Sequence, residues 1–127
     1  MDTFDILVVD DAYPMARALS YLLSRNGYGV RIARDGIDAL EKIREKKPDL
    51  VFLDLQMPRM DGAEACRQVR ENLGHEDLYI IVLTAMGQDR DVERALEAGA
   101  NESMAKPFSP REVLRRVNEI LKTVETK

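Results

Sequence analysis

Five short apolar runs alternate along this chain with five stretches of helical periodicity. The runs are Phe4–Val9, Tyr28–Ala33, Asp49–Leu53, Tyr79–Leu83 and Glu102–Ala105. Their near-continuous apolar character predicts strands covered on both faces, as in a parallel sheet. The last run is the weakest by composition. Between the runs, Met15, Leu19, Leu22 and Leu23 recur at helical spacing, as do Val92, Ala95, Leu96 and Gly99, and Val113, Val117, Ile120 and Leu121. Each set is one apolar stripe on a helix. Ile37, Leu40 and Ile43 mark a shorter helix, and Cys66, Val69 and Leu73 another.

Boundary residues agree with this division. Asp35, Asp61 and Ser109 stand where N-caps are needed. Asp61 with Glu64 and Ser109 with Glu112 have capping-box spacing, and Pro110 suits a first helical position. Gly27, Gly74 and Gly99 follow helices where left-handed closure is expected. Strand and helix alternating five times imply an α/β fold, with a parallel sheet, right-handed crossovers and helices on both faces. The 127 residues read as one domain, 1–127, with a polar tail from Lys122 to Lys127 expected to fray.

Composition narrows the function classes. A hydrophobic content of 45% with 33% charged residues describes a globular chain rather than a disordered one. The net charge of -4 is the wrong sign for a direct nucleic-acid binder. From Lys106 onward basic residues outnumber acidic ones, which reads as a solvated helix face. The single cysteine, Cys66, rules out an intrachain disulfide and reads as a small buried hydrophobe. No apolar run approaches the length needed to span a bilayer, and the acidic N-terminus is unlike a secretory signal. A cytoplasmic protein is expected. His75, the only histidine, sits in a polar connection and reads as a surface residue; the methionines read as packing or loop residues.

The chemistry lies at the ends of the apolar runs. Asp10-Asp11 follow the first, Asp54 the third and Thr84 the fourth, while Lys106 follows the fifth and precedes Pro107. In an open α/β sheet the carboxyl ends of the strands line the ligand crevice. Three carboxylates, a hydroxyl and an ammonium would converge there. Asp10 or Asp11 could simply cap the next helix, Asp54 could open a loop, Thr84 could be an ordinary strand residue, and Lys106 could face solvent. Together, in strand order, the set needs another explanation. Adjacent carboxylates repel, and a divalent cation such as Mg²⁺, which takes oxygen ligands, removes that repulsion. A carboxylate can also act as a nucleophile toward phosphorus.

The pattern Asp10-Asp11, Asp54 with Met57-Pro58 and Met60-Asp61-Gly62, Thr84-Ala85 and Lys106-Pro107-Phe108 resembles the receiver domain of two-component response regulators, of the chemotaxis-regulator type. The resemblance covers essentially the whole chain. It implies a doubly wound, flavodoxin-like sheet of order 2-1-3-4-5. It also implies that Asp54 is the phosphoacceptor, served by a sensor histidine kinase, a phosphotransfer protein or a small acyl phosphate. Asp10, Asp11, Asp54 and the backbone carbonyl of Gln56 would serve the metal, Mg²⁺ or Mn²⁺. Lys106 and Thr84 would contact the phosphoryl group, and Pro107 would be cis. The domain would catalyse only its own phosphorylation and dephosphorylation. An output partner or domain is implied without being identified, and homodimerisation through the fourth helix, fifth strand and fifth helix is allowed.

Ser103 departs from the family pattern. An aromatic residue often stands three positions before the lysine and swings inward when the threonine moves. Serine cannot fill that space, so an intact phosphoacceptor with an altered output response is expected. Met86, next to the site, is expected to hinder an attacking water. Two other functions compete with this reading. A Mg²⁺-dependent phosphohydrolase using Asp54 typically has a second acid two residues later, where this chain has Gln56. A phosphorylation-independent binding module of the same fold fits Ser103 but leaves the acidic set unexplained.

Overall fold

The computed structural model describes residues 4–57, 60–85, 87 and 89–125, leaving aside the side chains of Tyr13, Val124 and Glu125. Pro58 and Met86, both singled out in the sequence, lie outside the described residues. Strands β1 (Asp5–Val9), β2 (Gly29–Ala33), β3 (Leu50–Asp54), β4 (Tyr79–Thr84) and β5 (Glu102–Ala105) alternate with helices α1 (Tyr13–Arg25), α2 (Gly36–Glu45), α3 (Gly62–Glu71), α4 (Asp89–Glu97) and α5 (Pro110–Glu125). The strands form one parallel sheet in the order β2-β1-β3-β4-β5. Each predicted strand is present. Asp54 and Thr84, placed just after strands by composition, are the last residues of β3 and β4. The tail marked for fraying continues α5 as far as Glu125.

Alternate strand residues feed two apolar layers, as the two-residue period of a strand requires. Leu7, Val9, Val51, Leu53, Ile80 and Val82 face α2 and α3, meeting Ala39, Ile43, Cys66 and Val69. Ile6, Val8, Leu50, Phe52, Ile81 and Leu83 face α1 and α5, meeting Leu19, Leu23, Val113 and Val117. Both β1 and β3 are buried along their whole length. Burying a side chain of this size contributes about 1.5–3 kcal/mol, and these two central strands carry much of that gain.

Helix α4 is attached differently. Only Ala95 of it is buried; Val92 and, just past its end, Ala98 are partly covered, and Leu96 is 42% exposed. The stripe read from sequence therefore includes a leucine that points outward, because α4 meets the core through small side chains. Ile37 on α2 is exposed for a similar reason, with Ala39, Leu40 and Ile43 making the buried face.

Turn chemistry follows the sequence in most places. The Asp35 and Asp61 carboxylates accept hydrogen bonds from Asp38 N and Glu64 N, at 2.8 and 2.9 Å. The reciprocal half of the Asp61 box is missing, since the Glu64 carboxylate engages Arg67 and Gln68 instead. Gly27, Gly74 and Gly99 adopt φ of 90°, 71° and 116°, the left-handed region that closes helices. The Lys106–Pro107 peptide is cis.

Candidate functional site

Reversal of strand order between β1 and β3 sets the position of the site. Val9 pairs with Leu53, so Asp10 and Asp54 emerge side by side at the carboxyl edge. Asp10 N donates to Ala33 O of β2 at 3.1 Å, which fixes the start of the β1–α1 loop. Asp10 Oδ1 accepts from Ala12 N at 2.9 Å, so one oxygen of Asp10 does support the turn into α1. Across the sheet, Lys106 N donates to Thr84 O at 2.7 Å and aligns the ends of β4 and β5.

Asp54 is held from behind by Gly62. A Cβ on Gly62 would lie 2.7 Å from Asp54 O and 2.9 Å from Leu55 Cα, and Gly62 N donates to Leu55 O at 2.9 Å. Only a glycine lets the start of α3 come this close to the strand end. The Asp61-Gly62 pair thus combines a helix cap with a close backbone approach.

Among the described residues four aspartates are buried: Asp5, Asp10, Asp35 and Asp54. Asp5 pairs with Arg31 at 2.7 Å, and Asp35 caps α2. Asp10 and Asp54 share a single ammonium. Lys106 Nζ lies 3.0 Å from Asp54 Oδ1 and 3.5 Å from Asp10 Oδ2. The exposed Asp11 joins them, and one carboxylate oxygen from each of Asp10, Asp11 and Asp54 lies within 4.8 Å of the others. Three negative charges around one positive charge leave the cluster anionic.

Local electrostatics reflect that surplus. Burial pushes the Asp54 carboxyl above the usual carboxylate range; the charge of Asp10 pushes the same way, while Lys106 and a hydrogen bond from the Gln56 backbone oppose it. Burial pulls the Lys106 ammonium down, but its hydrogen bond to Asp54 and the charges of Asp54 and Asp10 outweigh this and leave it raised. Lys106 is thus held protonated beside a carboxylate that ionises reluctantly.

The donor set suits a small hard cation. Mg²⁺ binds oxygen at about 2.0–2.1 Å, so ligands on opposite sides of it stand roughly 4 Å apart, compatible with the three carboxylates. Thr84, half-buried, donates its hydroxyl to Ala85 O at 3.1 Å, next to exposed Ala85. The side chains of Gln56 and Ser103 are exposed. Ser103 pairs in register with Val82, on the side of β5 opposite buried Met104.

Two polar assemblies were not read from the sequence. Asp61 Oδ1 caps α3 while Asp61 Oδ2 receives Arg94 Nη2 of α4 at 3.4 Å. Farther away, the Tyr79 hydroxyl donates to Glu102 Oε1 at 2.5 Å, and Arg116 Nε donates to Glu102 Oε2 at 3.0 Å, tying β4, β5 and α5 together. The Asp-Gly dipeptide signalled the first only as a turn. Nothing in the spacing of Tyr79, Glu102 and Arg116 signalled the second.

Residues 6–118 match the profile of the response regulator receiver domain. The chain is 46% identical over 120 residues to the alkaline phosphatase synthesis transcriptional regulatory protein PhoP of Bacillus subtilis, covering 94% of this chain and 49% of that protein. It thus spans about half the length of the curated relatives it matches. Among solved structures, it superposes on the signal receiver domain of a signal transduction histidine kinase from Syntrophus aciditrophicus with a TM-score of 0.90 and 31% identity, covering 98% of this chain and 95% of that one. A CheY-like response regulator receiver domain protein from Methanospirillum hungatei gives a TM-score of 0.90 at 28% identity, with 98% of each chain covered.

Proposed function

The chain belongs to the response regulator receiver domain family, and on that premise we propose that Asp54 is the phosphoacceptor of a two-component signalling switch. The observation that carries this reading is the convergence of Asp10, Asp11 and Asp54 within 4.8 Å, with Lys106 Nζ 3.0 Å from Asp54. An Asp54 carboxylate oxygen attacks the phosphorus of a phosphohistidine on a sensor kinase or phosphotransfer protein. A P–O bond forms as the P–N bond breaks, and the electron pair returns to the imidazole. With a small acyl phosphate, the leaving group is instead a carboxylate. Asp10, Asp11, Asp54 and the Gln56 backbone carbonyl are the groups that would hold Mg²⁺ or Mn²⁺. When bound, the cation supplies positive charge against the phosphoryl oxygens. Lys106 supplies a fixed ammonium to the same oxygens, and the Thr84 hydroxyl a hydrogen-bond donor.

The domain then acts only on itself, taking up and losing its own phosphoryl group. Its product is a changed affinity for a partner. The relative PhoP is by name a transcriptional regulator; here the output is proposed to run through α4, β5 and α5, the face that would also support a homodimer. Exposed Ser103 supports an output response that differs from the usual threonine–aromatic coupling. The proposed location is the cytoplasm; among the described residues no helix is long and apolar enough to cross a membrane.

The test is incubation with acetyl phosphate and Mg²⁺ followed by intact mass measurement. One phosphoryl adduct is expected on the wild-type protein and none on Asp54→Asn. An adduct of equal yield on Asp54→Asn would overturn the assignment. Release of phosphate from a generic phosphomonoester would favour a hydrolase instead.

A further inference from the structure

The weakly seated helix α4 has a polar tie to the acceptor loop. The two oxygens of Asp61 divide their work: Oδ1 caps α3 through Glu64 N at 2.9 Å, and Oδ2 holds Arg94 Nη2 at 3.4 Å. The next residue, Gly62, runs so close to the acceptor that an added Cβ would lie 2.7 Å from Asp54 O, and its N–H donates to Leu55 O at 2.9 Å. From Arg94 a short connected path therefore runs through the Asp61 carboxylate and the Gly62 backbone to the acceptor residue. Arg94 is also drawn toward Asp91 on its own helix, at 3.5 Å. Asp61 and Asp91 thus share one guanidinium, Asp61 facing Nη2 and Asp91 facing Nη1. A cavity of about 150 Å³ lies between the two, lined by Leu55, Gln56, Asp61, Ala63, Asp91 and Arg94, and gives that side chain room to move. With Ala95 the one buried residue of α4, little apolar packing fixes the helix against such a shift.

We propose that Arg94 is a positioning residue that couples the acceptor loop to α4, its guanidinium shared between Asp61 and Asp91. The proposal rests on the reading of Asp54 as phosphoacceptor. It supplies a route for the signal that needs no aromatic residue at position 103. A phosphoryl group on Asp54 alters the loop that carries Asp61, changes the hold of Asp61 on Arg94, and so changes the seating of α4. The pair is solvent-accessible, with Arg94 57% and Asp61 43% exposed. An exposed ion pair of this kind biases an equilibrium by about two- to fivefold.

The experiment compares wild type, Arg94→Met and Arg94→Lys with and without acetyl phosphate and Mg²⁺. Intact mass measures the adduct, and amide hydrogen exchange measures protection across Asp89–Ala98. Arg94 touches neither Asp54 nor Lys106, so all three proteins are expected to form the adduct. Phosphorylation should alter exchange in α4 of the wild type. That response should be largely lost in Arg94→Met and largely restored in Arg94→Lys, which a purely steric role for the long side chain would not produce. An α4 response in Arg94→Met equal to that of wild type overturns the proposal, as does a phosphorylated wild type whose α4 is unchanged. Absence of any adduct on the wild type is a separate result: it removes the phosphoacceptor reading on which the proposal depends.

Discussion

Replacing Asp54 with asparagine should stabilise the cation-free protein, although it removes a hydrogen-bonded ion pair. At an effective dielectric constant near 20, the attraction between Lys106 and Asp54 at 3.0 Å is worth about 5–6 kcal/mol. The repulsion from buried Asp10, at a separation of up to 4.8 Å, is about 3–4 kcal/mol on the same scale, and exposed Asp11 adds little through solvent. The attraction that remains, about 2 kcal/mol, is smaller than the several kcal/mol that burying the charge costs, so burial decides the sign and leaves the ionised carboxylate unfavourable by about 1–2 kcal/mol. Asparagine keeps the shape and one acceptor for Lys106 while removing the charge. For a domain of this size the gain corresponds to a rise in Tm of about 3–8 °C. The assay is thermal unfolding followed by circular dichroism, in chelator and then in excess Mg²⁺. In chelator, Asp54→Asn should melt higher. Mg²⁺ should raise the wild type more than the variant and narrow or reverse the gap, because binding to the native state alone stabilises it. The difference must also depend on pH. Burial and Asp10 raise the folded-state pKa of Asp54, so ionisation costs stability at neutral pH. That cost disappears as pH falls through the raised value and Asp54 becomes neutral, and the two proteins should converge. A variant that melts lower than wild type in chelator, or equal Mg²⁺ shifts in both proteins, would refute the reasoning.

Gly62→Ala should cost about 1–3 kcal/mol, because its new methyl must displace backbone at Asp54 and Leu55; urea midpoints measure this, and phosphorylation by acetyl phosphate should slow in parallel. Cys66 is buried, and burial pushes its thiol up to about 12; a thiol reagent at mildly alkaline pH should leave the native protein unmodified and label it fully in urea. Glu102→Gln should destabilise by about 0.5–2 kcal/mol by breaking the link to Arg116 and Tyr79. Burial raises Glu102, but the hydrogen bonds from Arg116 and Tyr79 prevail and leave its pKa lowered. The stability it contributes should therefore be full above the ordinary carboxylate range and be lost as pH falls through the lowered value, leaving a pH-dependent difference between wild type and variant in urea titrations.

What the sequence made legible was whatever depends on period and on strand ends. Ile6–Val9 and Leu50–Leu53 could be read as central strands because both of their faces are apolar, and their polar successors then had to meet at the sheet edge. Asp10, Asp11, Asp54 and Lys106 were found in this way, and the structure brings all four together. The orientation of α4 was not legible. Its residues Val92, Ala95 and Leu96 allow more than one buried face, and the outward position of Leu96 is decided by how closely small side chains let the helix approach. The partners of Arg94 and Arg116 were hidden for a different reason. Asp61 and Glu102 are distant in sequence from the guanidinium each receives, and only the folded register brings them close. The Asp61 capping box was half right because Glu64 had nearer cationic and amide partners on its own helix.

Strand β3 runs through the middle of the sheet, hydrogen-bonded to β1 and β4 and covered on both faces. A substituent added to its terminal aspartate cannot be accommodated by retreat of the strand, which works as an anvil. Whatever strain that group introduces is exported to the rim, where the connecting loops and the lightly fastened fourth helix are free to yield. The stiffness of the centre is therefore what would make a change at a single carboxyl oxygen detectable on the outside of the molecule.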